Sequence, residues 1–136
     1  GDYALSTAIC EAIKEFDSSL IVLALSGGQL AKAAQDMGLR TAMEVFADRA
    51  YEEDGTLVNR RKEGAVITDE NEAIVRVIRM VKEKKITAIT GKDIDIQADS
   101  VCVHGDGAEA LAFVEKIREA FVKEGIQIRS LDEFVK

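Results

Sequence analysis

The residues best suited to chemistry are few, and they stand at the ends of apolar runs. His104, the only histidine among 136 residues, closes the segment SVCVH and is followed by Gly105 and Asp106. An imidazole there could act as a base, an orienting donor or a metal ligand, and the alternative is a satisfied structural histidine. Asp106 could join it or simply cap a following helix. Glu44 lies between Met43 and Val45 in another apolar run, with Asp48 and Arg49 just beyond it. Burial without a partner disfavours the charged form of a carboxylate, and such a group could serve as an acid or base; otherwise Glu44 faces solvent at an irregular strand edge. Arg60 and Arg61 sit in a charged stretch, where their guanidinium forks could hold a carboxylate or phosphate or could be merely solvated. The turn Ser26, Gly27, Gly28 lacks both the lysine of a P-loop and the third glycine of a dinucleotide turn. No serine, histidine and aspartate triad can be argued from spacing.

These groups need elements that carry them to one place. Leu5, Ala8, Ile9, Ala12, Ile13 and Phe16 recur at helical spacing and predict one buried stripe, with Asp2 near its start. Leu20 to Ser26 is unbroken and apolar, which predicts a strand covered on both faces. A glycine turn then leads into a helix over Gln29 to Met37 that stops at Gly38. Thr41 to Phe46 predicts a second strand, and Ala47 to Gly64 a long charged loop with a turn at Asp54 and Gly55. Asp69 and Glu72 have capping-box spacing ahead of a helix whose stripe is Ile74, Val77, Ile78 and Val81. Ile86 to Gln97 reads as a hairpin turning at Gly91 and Lys92. Ser100 to His104 predicts a further strand, followed by a helix turning Leu111, Val114, Ile117, Phe121 and Val122 inward and ending at Gly125. Ile126 to Ile128 could supply one more strand.

Strands alternating with helices predict an α/β fold with a mostly parallel sheet, whose ligands gather at the carboxyl ends of the strands. The strand ends carrying Ser26, Glu44 and His104 converge on one face in that architecture. The length suits a single unit over residues 1–136. A net charge of -7 repels phosphate backbones and anionic lipid, so no nucleic acid and no membrane surface is expected as a partner. The longest apolar run, Leu20 to Leu25, is far short of the roughly 20 residues a membrane span needs. Two cysteines, Cys10 and Cys102, are too few and too far apart for a disulfide scaffold or a zinc knuckle, and fit a reducing cytoplasm.

Taken together, EVFADRAY at Glu44 to Tyr51, DGTLVNRR at Asp54 to Arg61, GAVI at Gly64 to Ile67, IQAD at Ile96 to Asp99 and VCVHGD at Val101 to Asp106 resemble the LamB/YcsF family in order and spacing. The resemblance implies a cytoplasmic component of an ATP-dependent 5-oxoprolinase, working with two other 5-oxoprolinase subunits to hydrolyse the lactam of 5-oxo-L-proline to L-glutamate. It also implies a distorted β/α barrel of the glycoside hydrolase and polysaccharide deacetylase type. Carried onto this sequence, it places Glu44, His104 and Asp106 in catalysis and Asp48, Arg49, Arg60 and Arg61 in substrate binding. A metal requirement is left open. Family members begin with a DLNxDxGE-type strand and carry HPGYPD and KPHGALYN motifs, which are absent here. The chain is therefore expected to be the C-terminal half or slightly more of a longer barrel domain. Alone it should be inactive, and it should pair with the missing N-terminal half or with itself. The alternative is a non-catalytic α/β module holding a small carboxylate or carbohydrate.

Overall fold

The computed structural model describes residues 2–104 and 108–136. Its elements are helix α1 (Tyr3–Phe16), strand β1 (Ile21–Leu25), α2 (Gln29–Asp36), β2 (Arg40–Phe46), α3 (Glu70–Glu83), β3 (Lys85–Thr87), β4 (Asp93–Asp95), β5 (Ser100–Cys102), α4 (Ala108–Lys123) and the short α5 (Leu131–Phe134). Strands β1, β2 and β5 form a parallel sheet in that order, and β3 and β4 form a separate antiparallel hairpin. Among the described residues the parallel sheet is open, with β1 and β5 at its edges.

Local chemistry explains where the elements begin and end. The Asp2 carboxylate accepts from the amides of Ala4 and Leu5, and that of Asp69 accepts from Asn71 and Glu72, satisfying donors that a helix start leaves unpaired. Gly38 follows α2 at φ 76°, where a side chain would be strained. The hairpin turns at Gly91, φ 93°, as its Gly-Lys pair predicts.

Two apolar clusters cover one face of the sheet. Val22, Ala24 and Met43 pack with Cys10 and the alanines of α2, while Val45 packs with Val77, Met80, Ile117 and Phe121 of α3 and α4. The alternate residues Leu23, Leu25, Glu44 and Phe46 belong to neither cluster. Side chains alternate along a strand, so these residues share the opposite face.

Several expectations give way here. Strand β1 is not covered on both faces, since Leu23 is 45% exposed beside buried Val22 and Ala24. An edge strand with helices on one side has only one apolar partner surface. In α1 the buried residues are Ser6 and Cys10, and Phe16 is 86% exposed, so the predicted stripe largely faces outward. Helix α2 offers Ala31, Ala33 and Ala34, and small side chains on both helices permit close approach. Tyr3 Oη donates to Asp36 Oδ2 at 2.5 Å and Lys14 Nζ to the Met37 carbonyl at 2.9 Å, which further select that face. In α4 the buried residues are Phe113, Ile117 and Phe121, whereas Leu111 and Val122 are exposed. No strand forms over residues 126–128; the Ile126 amide instead closes the end of α4 on the Phe121 carbonyl at 2.8 Å.

The hairpin is fastened by charge. Arg79 of α3 meets Asp93 at 2.7 Å, and Thr87 Oγ1 donates to the same carboxylate at 2.8 Å, which lowers its pKa to about 2. A carboxyl more acidic when folded than when unfolded stabilises the fold in full above its ordinary pKa, about 4. That contribution should fade as pH falls through about 2. Urea midpoints measured from pH 6 to pH 2 should therefore fall less steeply for Asp93→Asn than for the parent, and parallel curves would refute this linkage.

Candidate functional site

The register Glu44 with Ser100, Val45 with Val101 and Phe46 with Cys102 brings the carboxyl ends of β2 and β5 together. Beyond the strands, the Ala47 amide donates to the Cys102 carbonyl at 3.2 Å, so the pairing carries on into the loops. Asp48 and His104 meet there, with Asp48 Oδ1 3.1 Å from His104 Nδ1. The imidazole also lies against the Phe46 ring, with centroids 5.4 Å apart and planes 17° apart. Both Asp48 and His104 border a cleft of about 610 Å³ whose wall includes Ile67, Thr68, Glu70 and Phe113. The Glu70 carboxylate is held by Lys116. Glu44 lies outside that lining, on the helix-free face of β2.

Cys102 joins this group through the sheet register. Burial, with lesser contributions from the Glu44 and Asp48 carboxylates, pushes its thiol pKa up. It is a neutral thiol at neutral pH and a poor nucleophile. Sequence reading missed both Cys102 and Phe46, which look like ordinary strand residues. Only the alternation that puts them on the face of Glu44 could have pointed to them.

The cationic candidates are divided. Arg49 is only 8% exposed, and its Nη2 donates to the Val58 carbonyl at 2.8 Å while its Nε has no partner. Arg76 of α3 donates to the Arg49 carbonyl at 2.8 Å, and burial lowers the pKa of its guanidinium. These contacts, with the buried cluster Ala50, Val58 and Ala65, fold the charged loop down onto the body. Arg60 and Arg61 lie on its exposed turn, where the Arg61 amide donates to Asn59 Oδ1 at 3.0 Å. Among the described residues no hydrogen bond or ion pair joins either guanidinium to Glu44, Asp48 or His104. Asp106 lies outside the described residues.

Beneath the site is Tyr51, fully buried, whose hydroxyl accepts the Phe46 amide at 2.9 Å. Burial is the main cause raising its phenol pKa. The Ser26 turn uses its polar groups internally: the serine hydroxyl donates to the Gln97 carbonyl at 2.6 Å and the Gly28 amide to the Leu25 carbonyl at 2.9 Å. The nearest following cation, Lys32, is drawn over the Tyr3 ring at 5.4 Å. Gly28, at the start of α2, makes no side-chain cap to that helix. Among the described residues no group of three or more histidine, cysteine, aspartate or glutamate side chains is placed to hold a metal ion. Nor is any helix there long and apolar enough to cross a membrane.

The chain is similar to a Clostridium beijerinckii protein named as the A subunit of 5-oxoprolinase, with 61% identity over 127 residues, covering 93% of this chain and 50% of that protein. It is 58% identical over 134 residues to the Campylobacter jejuni protein of the same name, covering 98% of this chain and 52% of that one. It thus spans about half the length of the curated relatives it matches. The crystal structure of a lactam utilization protein from Thermus thermophilus is 36% identical with a TM-score of 0.84, covering 94% of this chain and 51% of that one. The model of the LamB/YcsF family matches residues 1–136, and the chain belongs to that family.

Proposed function

We propose that this chain forms part of the A component of a cytoplasmic, ATP-dependent 5-oxoprolinase, which with two partner subunits hydrolyses the lactam of 5-oxo-L-proline to L-glutamate. The observation that carries this reading is the identity of 61% and 58% with relatives bearing that component's name. The meeting of Asp48 and His104 just beyond the adjoining carboxyl ends of β2 and β5 supports it chemically, with Glu44 further back on β2 opposite Ser100. An amide is a poor electrophile. Transfer of the terminal phosphoryl group of ATP to the lactam oxygen would give a centre to which one water adds. The ring C–N bond then breaks as its nitrogen takes up a proton, leaving an acyl phosphate, and a second water releases phosphate to complete L-glutamate. No step with ATP is assigned to a residue of this chain. Glu44 or His104 handles protons in this scheme, a role that the family resemblance extends to Asp106, and Arg60 or Arg61 holds the substrate carboxylate. Arg49 and Asp48 complete the rim, Arg49 by holding the loop.

The open sheet becomes part of a distorted barrel when the portion of the relatives that this chain does not span is added. Its two edges and the outward residues Leu5, Ile9, Phe16 and Leu23 are the surfaces that portion would cover. The test is ATP-dependent glutamate release from 5-oxoproline by the full-length protein combined with its partners. The 136-residue chain in its place should give none. Saturable binding of 5-oxoproline without turnover in the full assembly would instead favour a non-catalytic module. A strictly monomeric chain in light scattering, showing no association with the remaining portion, would count against the barrel.

A further inference from the structure

We propose that Asp48 and Phe46 together fix the tautomer and the plane of the His104 imidazole, presenting Nε2 to the reacting group, so that Asp48 is a positioning residue and not a substrate ligand. This rests on the reading of His104 as a proton carrier. Asp48 Oδ1 lies 3.1 Å from Nδ1, and a carboxylate oxygen can only accept. In the neutral ring the proton must therefore sit on Nδ1, which leaves the lone pair on Nε2.

Both supports are themselves anchored. The Asp48 carbonyl accepts the Ile67 amide at 2.8 Å, and the Phe46 amide is held by the Tyr51 hydroxyl at 2.9 Å. With the Phe46 ring stacked against it, the imidazole loses freedom to rotate about its bond to the chain. The order of exposure agrees with this division of labour. The Asp48 side chain is 21% exposed and that of His104 40%, so a molecule entering the cleft meets the imidazole first. The proposed substrate is moreover a carboxylate, which Asp48 would repel.

Because His104 is the only histidine, selective nitrogen-15 labelling of histidine in this chain yields a single pair of ring-nitrogen signals. At about pH 9, where an ordinary imidazole is neutral, the parent should show mainly the Nδ1–H form. Asp48→Ala should move the majority to the Nε2–H form that a free imidazole side chain prefers. Phe46→Leu should leave the tautomer in place while the His104 ring protons lose the shielding of a stacked aromatic ring. A parent already in the Nε2–H form, or an Asp48→Ala tautomer unchanged from the parent, would overturn the proposal. In the full-length protein with its partners, Asp48→Ala should lower kcat about 10²-fold with KM within about 2-fold. A raised KM with kcat unchanged would assign Asp48 to substrate binding instead. Normal turnover in His104→Ala would remove the proton-carrying role on which the inference rests, whereas the tautomer measurement stands or falls independently of turnover.

Discussion

Glu44→Gln and His104→Ala are each expected to lower 5-oxoproline turnover by about 10²- to 10⁴-fold in the full-length protein joined with its partners, the range that a positioned acid or base contributes. Opening a lactam requires a proton to reach the departing nitrogen and another to leave the attacking water. His104 lies just beyond the end of β5 and Glu44 two residues before the end of β2, opposite Ser100, and the Cys102 thiol feels the carboxylates of both Glu44 and Asp48. Glutamine keeps the shape of Glu44 while removing its charge and its proton exchange and turning one acceptor oxygen into a donor, so a loss there in a folded variant would be chemical. His104 is exposed and outside the apolar clusters, so alanine should cost only about 1 kcal/mol, the order of its stacking on Phe46. Turnover of both variants at the parent rate would exclude them from the reaction.

Tyr51→Ala should destabilise the chain by about 3 to 5 kcal/mol, the cost of emptying a large aromatic from a packed core. Tyr51 is among the largest fully buried side chains and packs in the cluster of Val45, Val77 and Met80. The loss is a large part of the roughly 5 to 15 kcal/mol that holds a typical domain folded. Tyr51→Phe isolates the hydroxyl. It leaves the ring in place and orphans the Phe46 amide, for which about 1 to 3 kcal/mol is expected. Urea unfolding followed by circular dichroism separates the two, and equal midpoints for Tyr51→Phe and the parent would show that the Phe46 amide finds another acceptor. Because Phe46 also stacks on His104, Tyr51→Phe links the core to the site.

How much was legible depended on whether the relevant partner was close in sequence. Helix α3 was readable because Asp69, Glu72 and the spaced Val77, Ile78 and Val81 carry both its cap and its inward face within a few turns. The hairpin was readable from Gly91 for the same reason. The parallel α/β character followed from the alternation of apolar runs with helical stripes, and the family from motifs distributed along the chain. The outward turn of Leu5 and Phe16 was not readable, because the face of α1 that is buried depends on the alanines of α2 and on anchors at Asp36 and Met37. The one-sided burial of β1 was hidden because an apolar run does not reveal its place in a sheet.

The sequence by itself determined most of the element types with their caps and turns, and the family to which the chain belongs, since these depend on neighbouring residues and on the order of motifs. Tertiary structure alone decided that Asp48 reaches His104 across 56 positions, that Phe46 lies against the imidazole, and that Arg49 is spent on holding a loop. Those relations arise from strand register and side-chain alternation, and neither quantity is encoded at any single position.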